Sequence, residues 1–176
     1  MEAIAQVPKT ALDVFRMLPE GTLCEVIDNV LYMSPAPKYS HQKLVGLFFK
    51  IISNHLDVSL SGELLIAPFD VYLDEFHSAL QPDLIYVSNE NRNIIDEEGS
   101  IHGAPDLIIE ILSSDKKRDT VKKKSLYERA GVKEYIIADP ATRNFQRLEL
   151  IQGSYTLAFE SKGNFNSALL NLEFGF

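Results

Sequence analysis

The sequence contains no tryptophan, a single cysteine and no long hydrophobic run among its 176 residues. With only Cys24, the chain can form neither an intramolecular disulfide nor a cysteine-rich zinc site, which fits a reducing compartment. We expect Cys24 to be a small core residue rather than a nucleophile. No apolar stretch approaches the roughly 20 residues that cross a bilayer, and residues 1–10 lack the pattern of a secretory signal. These absences predict a cytoplasmic protein with no membrane-spanning segment.

An excess of basic residues is also missing. The 17 Lys and Arg residues are outnumbered by 25 Asp and Glu residues, which gives a formal net charge of -8. This balance argues against a protein that coats nucleic acid nonspecifically. One segment departs from it and carries Lys116, Lys117, Arg118, Lys122, Lys123 and Lys124. Such a run indicates either a solvated lysine face or a local site for an anionic substrate.

Several familiar site motifs are absent as well. There is no glycine-rich phosphate loop of the P-loop or dinucleotide type, and no G-x-S-x-G motif of a serine hydrolase. His55, His77 and His102 show no zinc-type spacing. What is present, 45% hydrophobic and 24% charged residues, is typical of a soluble globular protein. Without repeats or linkers, the length predicts a single domain over residues 1–176.

The hydrophobic pattern predicts strands interleaved with two substantial helices. An N-terminal helix is expected over residues 10–18, with Thr10 as its cap, and a hairpin over 23–33 around Asp28-Asn29. A long helix follows Ser40, its expected cap, and a second helix is expected over 119–130. Strands are expected at 64–69, 71–73, 84–87, 107–112, 135–138, 145–151 and 155–159, with a polar loop at 89–103. This order favours a three-layer α/β sandwich with a mixed sheet.

Glu110 is the only charged residue in the apolar strand 107–112. A buried carboxylate needs a metal, a lysine or backbone donors, because an unpaired buried charge costs several kcal/mol. Glu110 can alternatively lie at the rim of the sheet or in a structural ion pair. Asp83, after Pro82, enters a neighbouring apolar strand, and two acids from adjacent strands are what a Mg²⁺ site requires. Asp106 starts the strand of Glu110 roughly 13 Å away, too far to share an ion with it.

Three further residues are candidates for the same site. Lys123 shares a helical stripe with Leu126 and Ala130, the side expected to face the strands. His41 begins the long helix, and its imidazole can turn toward a site or toward solvent. Glu25, in an otherwise apolar strand, can supply a further carboxylate near Asp83 and Glu110, or serve only a structural role.

Many short motifs follow one another in a fixed order between about residues 12 and 155. They are Cys24-Glu25-Val26-Ile27-Asp28, His41, Gln81-Pro82-Asp83-Leu84-Ile85, the run 103–113, Asp119, Lys123, Tyr127, Gly131-Val132, Glu134-Tyr135 and Asp139-Pro140. In this set the chain resembles the Uma-two family of the PD-(D/E)XK restriction-endonuclease-like superfamily. The resemblance implies a restriction-endonuclease-like three-layer sandwich, with a mixed central sheet flanked by helices and extra antiparallel strands.

The resemblance also implies a function. It is that of a metal-dependent endonuclease acting on DNA, in which Asp83 and Glu110 hold Mg²⁺ or Mn²⁺ and Lys123 orients the attacking water. His41 and Glu25 would be supporting catalytic residues. A homodimer is compatible with the superfamily.

Two positions depart from the superfamily pattern. Leu112 stands where the strand motif has lysine, so the resemblance is to branches in which a helix provides the lysine, here Lys123, with Lys122 and Lys124 as alternatives. Ile136 follows Tyr135 where the family usually has tryptophan, which we interpret as repacking. The rival readings are an inactive nuclease-fold module that binds nucleic acid or protein as a scaffold, and a small-molecule phosphoesterase.

Overall fold

The computed structural model describes residues 7–19, 21–113 and 115–176. The helices are α1 (Ala11–Met17), α2 (Tyr39–Ser59) and α3 (Lys124–Ala130), and a π-helix at Arg118–Lys123 leads into α3. The strands are β1 (Cys24–Ile27), β2 (Val30–Met33), β3 (Gly62–Ile66), β4 (Val71–Leu73), β5 (Ser78–Leu80), β6 (Leu84–Ser88), β7 (Ile101–His102), β8 (Leu107–Ile111), β9 (Glu134–Ala138), β10 (Asn144–Ile151), β11 (Ser154–Lys162), β12 (Asn164–Ser167) and β13 (Leu172–Gly175). Within the described ranges, no helix combines the length and the apolar character needed to cross a membrane.

A six-stranded mixed sheet lies at the centre, in the order β11-β10-β9-β8-β6-β3. Strands β8 and β9 are parallel, whereas the other neighbours are antiparallel. Parallel neighbours need a long crossover, and here the π-helix and α3 provide it. All five residues of β8 are buried, as the nearly continuous apolar run predicts for a strand covered on both faces.

The two faces of this sheet pack into separate hydrophobic clusters. On one face, Phe48 and Ile52 of α2 join Ile109 and Ile111 of β8 in a cluster that also includes the C-terminal hairpin β12-β13. On the other face, Ile108 clusters with residues of α3 and of a second sheet. Alternation of side chains along β8 sends its odd and even positions to these two faces. The predicted three-layer sandwich, with its mixed central sheet and extra antiparallel strands, is confirmed.

The second sheet has five strands in the order β2-β1-β5-β4-β7. Strands β1 and β2 form the predicted hairpin, whose turn residues Asp28 and Asn29 have positive φ angles of 49° and 60°. Helix α1 covers this sheet and starts at the predicted cap, since the Thr10 side chain accepts a hydrogen bond from the Asp13 N–H. Cys24 is buried in the same cluster, as expected for a core residue.

Some local predictions are wrong. Helix α2 begins at Tyr39, one residue before Ser40, and its N-cap Lys38 makes no side-chain hydrogen bond, so Ser40 is not the cap. The strand predicted at 64–69 ends at Ile66, shortly before Pro68, which cannot donate to a strand ladder. The segment 89–103 contains a 3₁₀-helix at Asn89–Ile94 and strand β7 rather than loop alone. Strands β5, β12 and β13 are not predicted from the sequence.

Candidate active site

Five elements, namely β8, β6, β1, α2 and the π-helix, bring the predicted site residues together at one end of β8. Glu110 is the penultimate residue of β8, and Asp83 directly precedes β6. These strands are antiparallel with Leu84 opposite Ile109, and continuing this register places Asp83 opposite Glu110. The Ile111 N–H donates to Asp83 Oδ2 at 2.7 Å, which fixes the Asp83 carboxylate beside β8. Strand β1 and the π-helix contribute the remaining charged groups.

Lys123 is the centre of this cluster. Its Nζ lies 2.8 Å from Glu25 Oε1, 2.9 Å from Glu110 Oε1 and 3.6 Å from Asp119 Oδ1. Only 5% of the lysine side chain is exposed. Glu25 is further held by the Gln81 N–H, which donates to its Oε1 at 3.1 Å. Lys123 therefore links carboxylates from three different elements across a buried site.

The π-helix sets the direction of Lys123. It spans Arg118–Lys123, where the sequence pattern predicts ordinary α-helix, and both Asp119 and Lys123 are buried within it. The Tyr135 hydroxyl donates to the Asp119 carbonyl at 3.0 Å and ties this segment to β9. Short π-helical segments are frequent at functional sites because their wider turn redirects side chains. Here the side chains of Asp119 and Lys123 point toward the end of β8 at which Glu110 lies.

The cluster holds more negative than positive charge, and the pKa values follow from this. Burial raises the pKa of Glu110 well above its ordinary value, although Lys123 opposes the shift. Burial also opposes a charged lysine, but Glu110, Glu25 and Asp119 outweigh it and raise the pKa of Lys123. The buried cluster therefore keeps the lysine charged and favours retention of a proton by a carboxylate.

Burial also raises the pKa of Asp119, from 3.8 to about 6. The folded protein thus binds more protons here than the unfolded chain, so this carboxyl favours folding below pH 4 and loses that contribution as the pH rises through 6.

In the wild type, ionisation of Asp119 should lower the free energy of unfolding by about 3 kcal/mol at most between about pH 4 and 7. The Asp119→Asn variant should lack this decrease, so its stability should depend less on pH over that range. Urea unfolding at several pH values measures this. Asp115→Asn, at an exposed neighbour, should keep the wild-type profile, and a matching profile for Asp119→Asn would contradict the assignment.

His41 lies beside Asp83, with Nε2 3.2 Å from Asp83 Oδ2. Burial lowers the pKa of His41, but the contacts with Asp83 outweigh it and leave the pKa above its ordinary value. Its Nδ1 atom is buried and has no hydrogen-bond partner among the described residues. The imidazole therefore turns toward the site rather than toward solvent and leaves one ring nitrogen unengaged.

The donor set suits a hard divalent cation. The hydrogen bonds to Asp83 and Glu110 use Oδ2 and Oε1, and none from the described residues reaches Asp83 Oδ1 or Glu110 Oε2. In the part of the chain that the structure describes, no three His, Cys, Asp or Glu side chains form a metal cage by themselves. A cation held by these two carboxylates would take its other ligands from water and substrate, as Mg²⁺ commonly does.

Other candidate residues lie away from the cluster. Asp106, at the opposite end of β8, accepts hydrogen bonds from Lys133 Nζ at 2.6 Å and the Ser88 N–H at 2.8 Å, so it is a structural residue. Lys122 is exposed, and its Nζ donates to the Tyr32 hydroxyl. Lys124 forms no ion pair with a carboxylate among the described residues. Neither alternative lysine therefore reaches the position that Lys123 occupies.

Two members of the cluster have no assigned role in the sequence analysis. Asp119 adds a carboxylate 3.6 Å from Lys123 Nζ, and the Tyr127 hydroxyl donates to Glu110 Oε1 at 2.9 Å. Both lie four positions from Lys123, a spacing that brings side chains to one helical face. The sequence analysis names both as motif residues, and this spacing from Lys123 is the signal that could have given them a role in the site.

The chain is similar to known proteins in sequence and in fold. A family model described as "Uma2: Putative restriction endonuclease" matches residues 12–175. Among solved structures, a "putative nuclease belonging to DUF820 from Anabaena variabilis ATCC 29413" has a TM-score of 0.75 and 20% identity, covering 96% of this chain and 95% of that chain. At this identity the likeness establishes the fold alone. No curated protein matches the sequence.

Proposed function

The chain belongs to the Uma2 family of putative restriction endonucleases, and from this premise we propose that it is a metal-dependent endonuclease that hydrolyses DNA phosphodiester bonds. The observation that supports this proposal is the buried contact of Lys123 Nζ with Glu110 Oε1 and Glu25 Oε1, at the strand end where Asp83 lies opposite Glu110. A lysine and paired carboxylates at one strand end can hold a divalent cation, orient water and offset developing charge, which together support hydrolysis of a phosphodiester.

Asp83 and Glu110 would hold Mg²⁺ or Mn²⁺. Such a cation, when bound, polarises the phosphate and lowers the pKa of a coordinated water. Lys123 would orient the attacking water and offset the negative charge that builds on the phosphate in the transition state. Its raised pKa keeps the ammonium charged at neutral pH, as this role demands.

Glu25 and His41 would act through their neighbours. Glu25 contacts Lys123 and would hold the ammonium in place between two carboxylates. His41 contacts Asp83 and would orient that carboxylate, as groups behind metal ligands commonly do. The unengaged Nδ1 of His41 leaves it able to take up or release a proton within the site.

Calorimetric titration of Mn²⁺ into the wild type and the Asp83→Asn variant tests this proposal, with supercoiled plasmid incubated beside each protein. Wild-type protein should bind the ion and nick the plasmid, and chelation should stop nicking. Asp83→Asn should lose ion binding and nicking together, because a ligand with negative charge is replaced by a neutral amide.

Two other outcomes would favour the rival functions. Equal behaviour of the two proteins, without bound ion or nicks, would indicate a nuclease-fold scaffold. Cleavage of an activated aryl phosphodiester but not of plasmid would indicate the small-molecule phosphoesterase.

Three broader expectations stay predictions. They are a single domain over residues 1–176, a cytoplasmic location and a homodimer. Light scattering of the purified chain measures the mass in solution, and a value near 19.8 kDa would contradict the homodimer.

A further inference from the structure

The basic segment divides into groups with different surroundings. Lys123 is buried against carboxylates, and Lys116 pairs with Asp139 at 2.7 Å. Arg118 and Lys122 instead lie against one aromatic ring, that of Tyr32 in β2, at 5.2 and 4.5 Å from its centroid. The segment is therefore neither one solvated face nor one site, and Arg118 and Lys122 share a separate location.

Arg118 makes few hydrogen bonds for a side chain so little exposed. Only 16% of its side chain is accessible, yet among the described residues its guanidinium donates one hydrogen bond, from Nη1 to Ser34 Oγ at 3.0 Å. Its Nε is buried without a hydrogen-bond partner in the same part of the chain. The nearest carboxylate oxygens belong to Asp115 at 3.4 Å and Glu25 at 4.0 Å. A guanidinium has five N–H donors. Only one of those of Arg118 donates a hydrogen bond within the described residues, so terminal N–H groups remain for the oxygen atoms of a ligand.

The position of Arg118 connects this group to the candidate active site. Glu25 lies between the two, since its Oε2 is 4.0 Å from Arg118 Nη1 and its Oε1 is 2.8 Å from Lys123 Nζ. Tyr32 pairs directly with Glu25 across the β1-β2 hairpin, so the ring that supports Arg118 belongs to the same framework. The hairpin therefore sets the distance between the guanidinium and the lysine.

We propose that Arg118, held against Tyr32, binds a phosphate of the DNA strand next to the phosphate that is cleaved. The guanidinium fork matches two phosphate oxygens, and the aromatic ring keeps its plane in a fixed orientation. Lys122 Nζ, which donates to the Tyr32 hydroxyl at 2.6 Å, adds positive charge on the same ring. Arg118 is thus a substrate-positioning residue. This inference rests on the proposed function for its substrate, but it makes a binding prediction that does not require cleavage.

Binding of a fluorescent duplex DNA, measured by anisotropy in Ca²⁺ and separately in EDTA over a range of salt, tests the proposal. Arg118→Gln should lose affinity for DNA by about tenfold to a hundredfold. The slope of log affinity against log salt concentration should indicate about one fewer counterion released on binding. Lys117→Gln removes the same charge from an exposed neighbour and should change affinity by less than about threefold. Arg118→Lys keeps the charge but loses the fork, so it should recover only part of the affinity. Thermal unfolding verifies that each variant is folded. If Arg118→Gln does not fold, the comparison of Arg118→Lys with the wild type carries the test.

The outcomes separate this inference from the proposed function. A specific loss for Arg118→Gln with a wild type that never nicks plasmid would support the phosphate contact and reject the nuclease. Nicking by the wild type, with equal affinities for Arg118→Gln and Lys117→Gln, would overturn the phosphate contact and leave the nuclease. Absence of DNA binding by the wild type in both Ca²⁺ and EDTA would also overturn it.

Discussion

Replacing Glu110 by glutamine is expected to reduce plasmid nicking by about a thousandfold while leaving the protein at least as stable as the wild type. Glutamine preserves the shape of the side chain but removes the charge proposed to hold the cation. Loss of one strong electrostatic group from an active site typically lowers the rate by roughly 10²- to 10³-fold. Stability should not fall, because burial raises the pKa of Glu110 and its ionised form is unfavourable where it lies. Lys123 retains Glu25 and Asp119 as partners.

Asp106→Asn is the matched control, since it changes a buried carboxylate at the other end of the same strand. Asp106 pairs with Lys133 and the Ser88 N–H, and the pKa of this carboxyl is lowered because these contacts outweigh burial. The variant should lose about 1–3 kcal/mol of stability but keep its nicking rate. Rates of plasmid nicking and urea unfolding of both variants provide the comparison. A Glu110→Gln protein that nicks as fast as the control would remove Glu110 from the mechanism.

The sequence predicts the centre of this site because its residues break a local pattern. Glu110 is a charge within an apolar strand, and Lys123 lies on a helical stripe that otherwise faces the core. Both are buried, and they contact each other at 2.9 Å. Glu25 and His41 were ambiguous from the sequence because their local patterns fit a surface as well as a site. The packing of β1 and α2 against the ends of the central strands places Glu25 beside Lys123 and His41 beside Asp83.

The fold shows the same division between local and long-range information. The hairpin at Asp28-Asn29, helix α1 and strand β8 follow from turn residues, capping and hydrophobic pattern. Two strands of the second sheet do not, because β5 and β7 have only three and two residues and therefore no periodicity to detect. Their conformation depends on pairing with β4, which is a tertiary effect. The π-helix is likewise invisible to a pattern that assumes ordinary helical spacing.

Replacing Lys123 by methionine is expected to destabilise the protein by about 3–5 kcal/mol at neutral pH, the typical cost of removing one partner from a buried ion pair. The change leaves Glu25, Glu110 and Asp119 close together without their shared cation. Methionine fills a similar volume, so loss of packing contributes little. Lys117→Met, at an exposed position of the same segment, should change stability by no more than about 0.5 kcal/mol.

The destabilisation in Lys123→Met should depend on pH with a definite sign. In the wild type the raised pKa of Lys123 keeps its contribution constant from pH 5 to 8, because that contribution is lost only as the pH rises through the folded pKa. Without the lysine, the pKa values of Glu110 and Asp119 rise further in the folded state, so the variant should be more stable near pH 5 than near pH 8. Adding Glu110→Gln should restore part of the lost stability at pH 8, because one of the unpaired charges is removed. Urea unfolding of the single and double variants measures both effects. Additive losses with no dependence on pH would mean that Lys123 acts through packing, whereas restoration by Glu110→Gln would establish that the buried lysine balances the charge of the carboxylates.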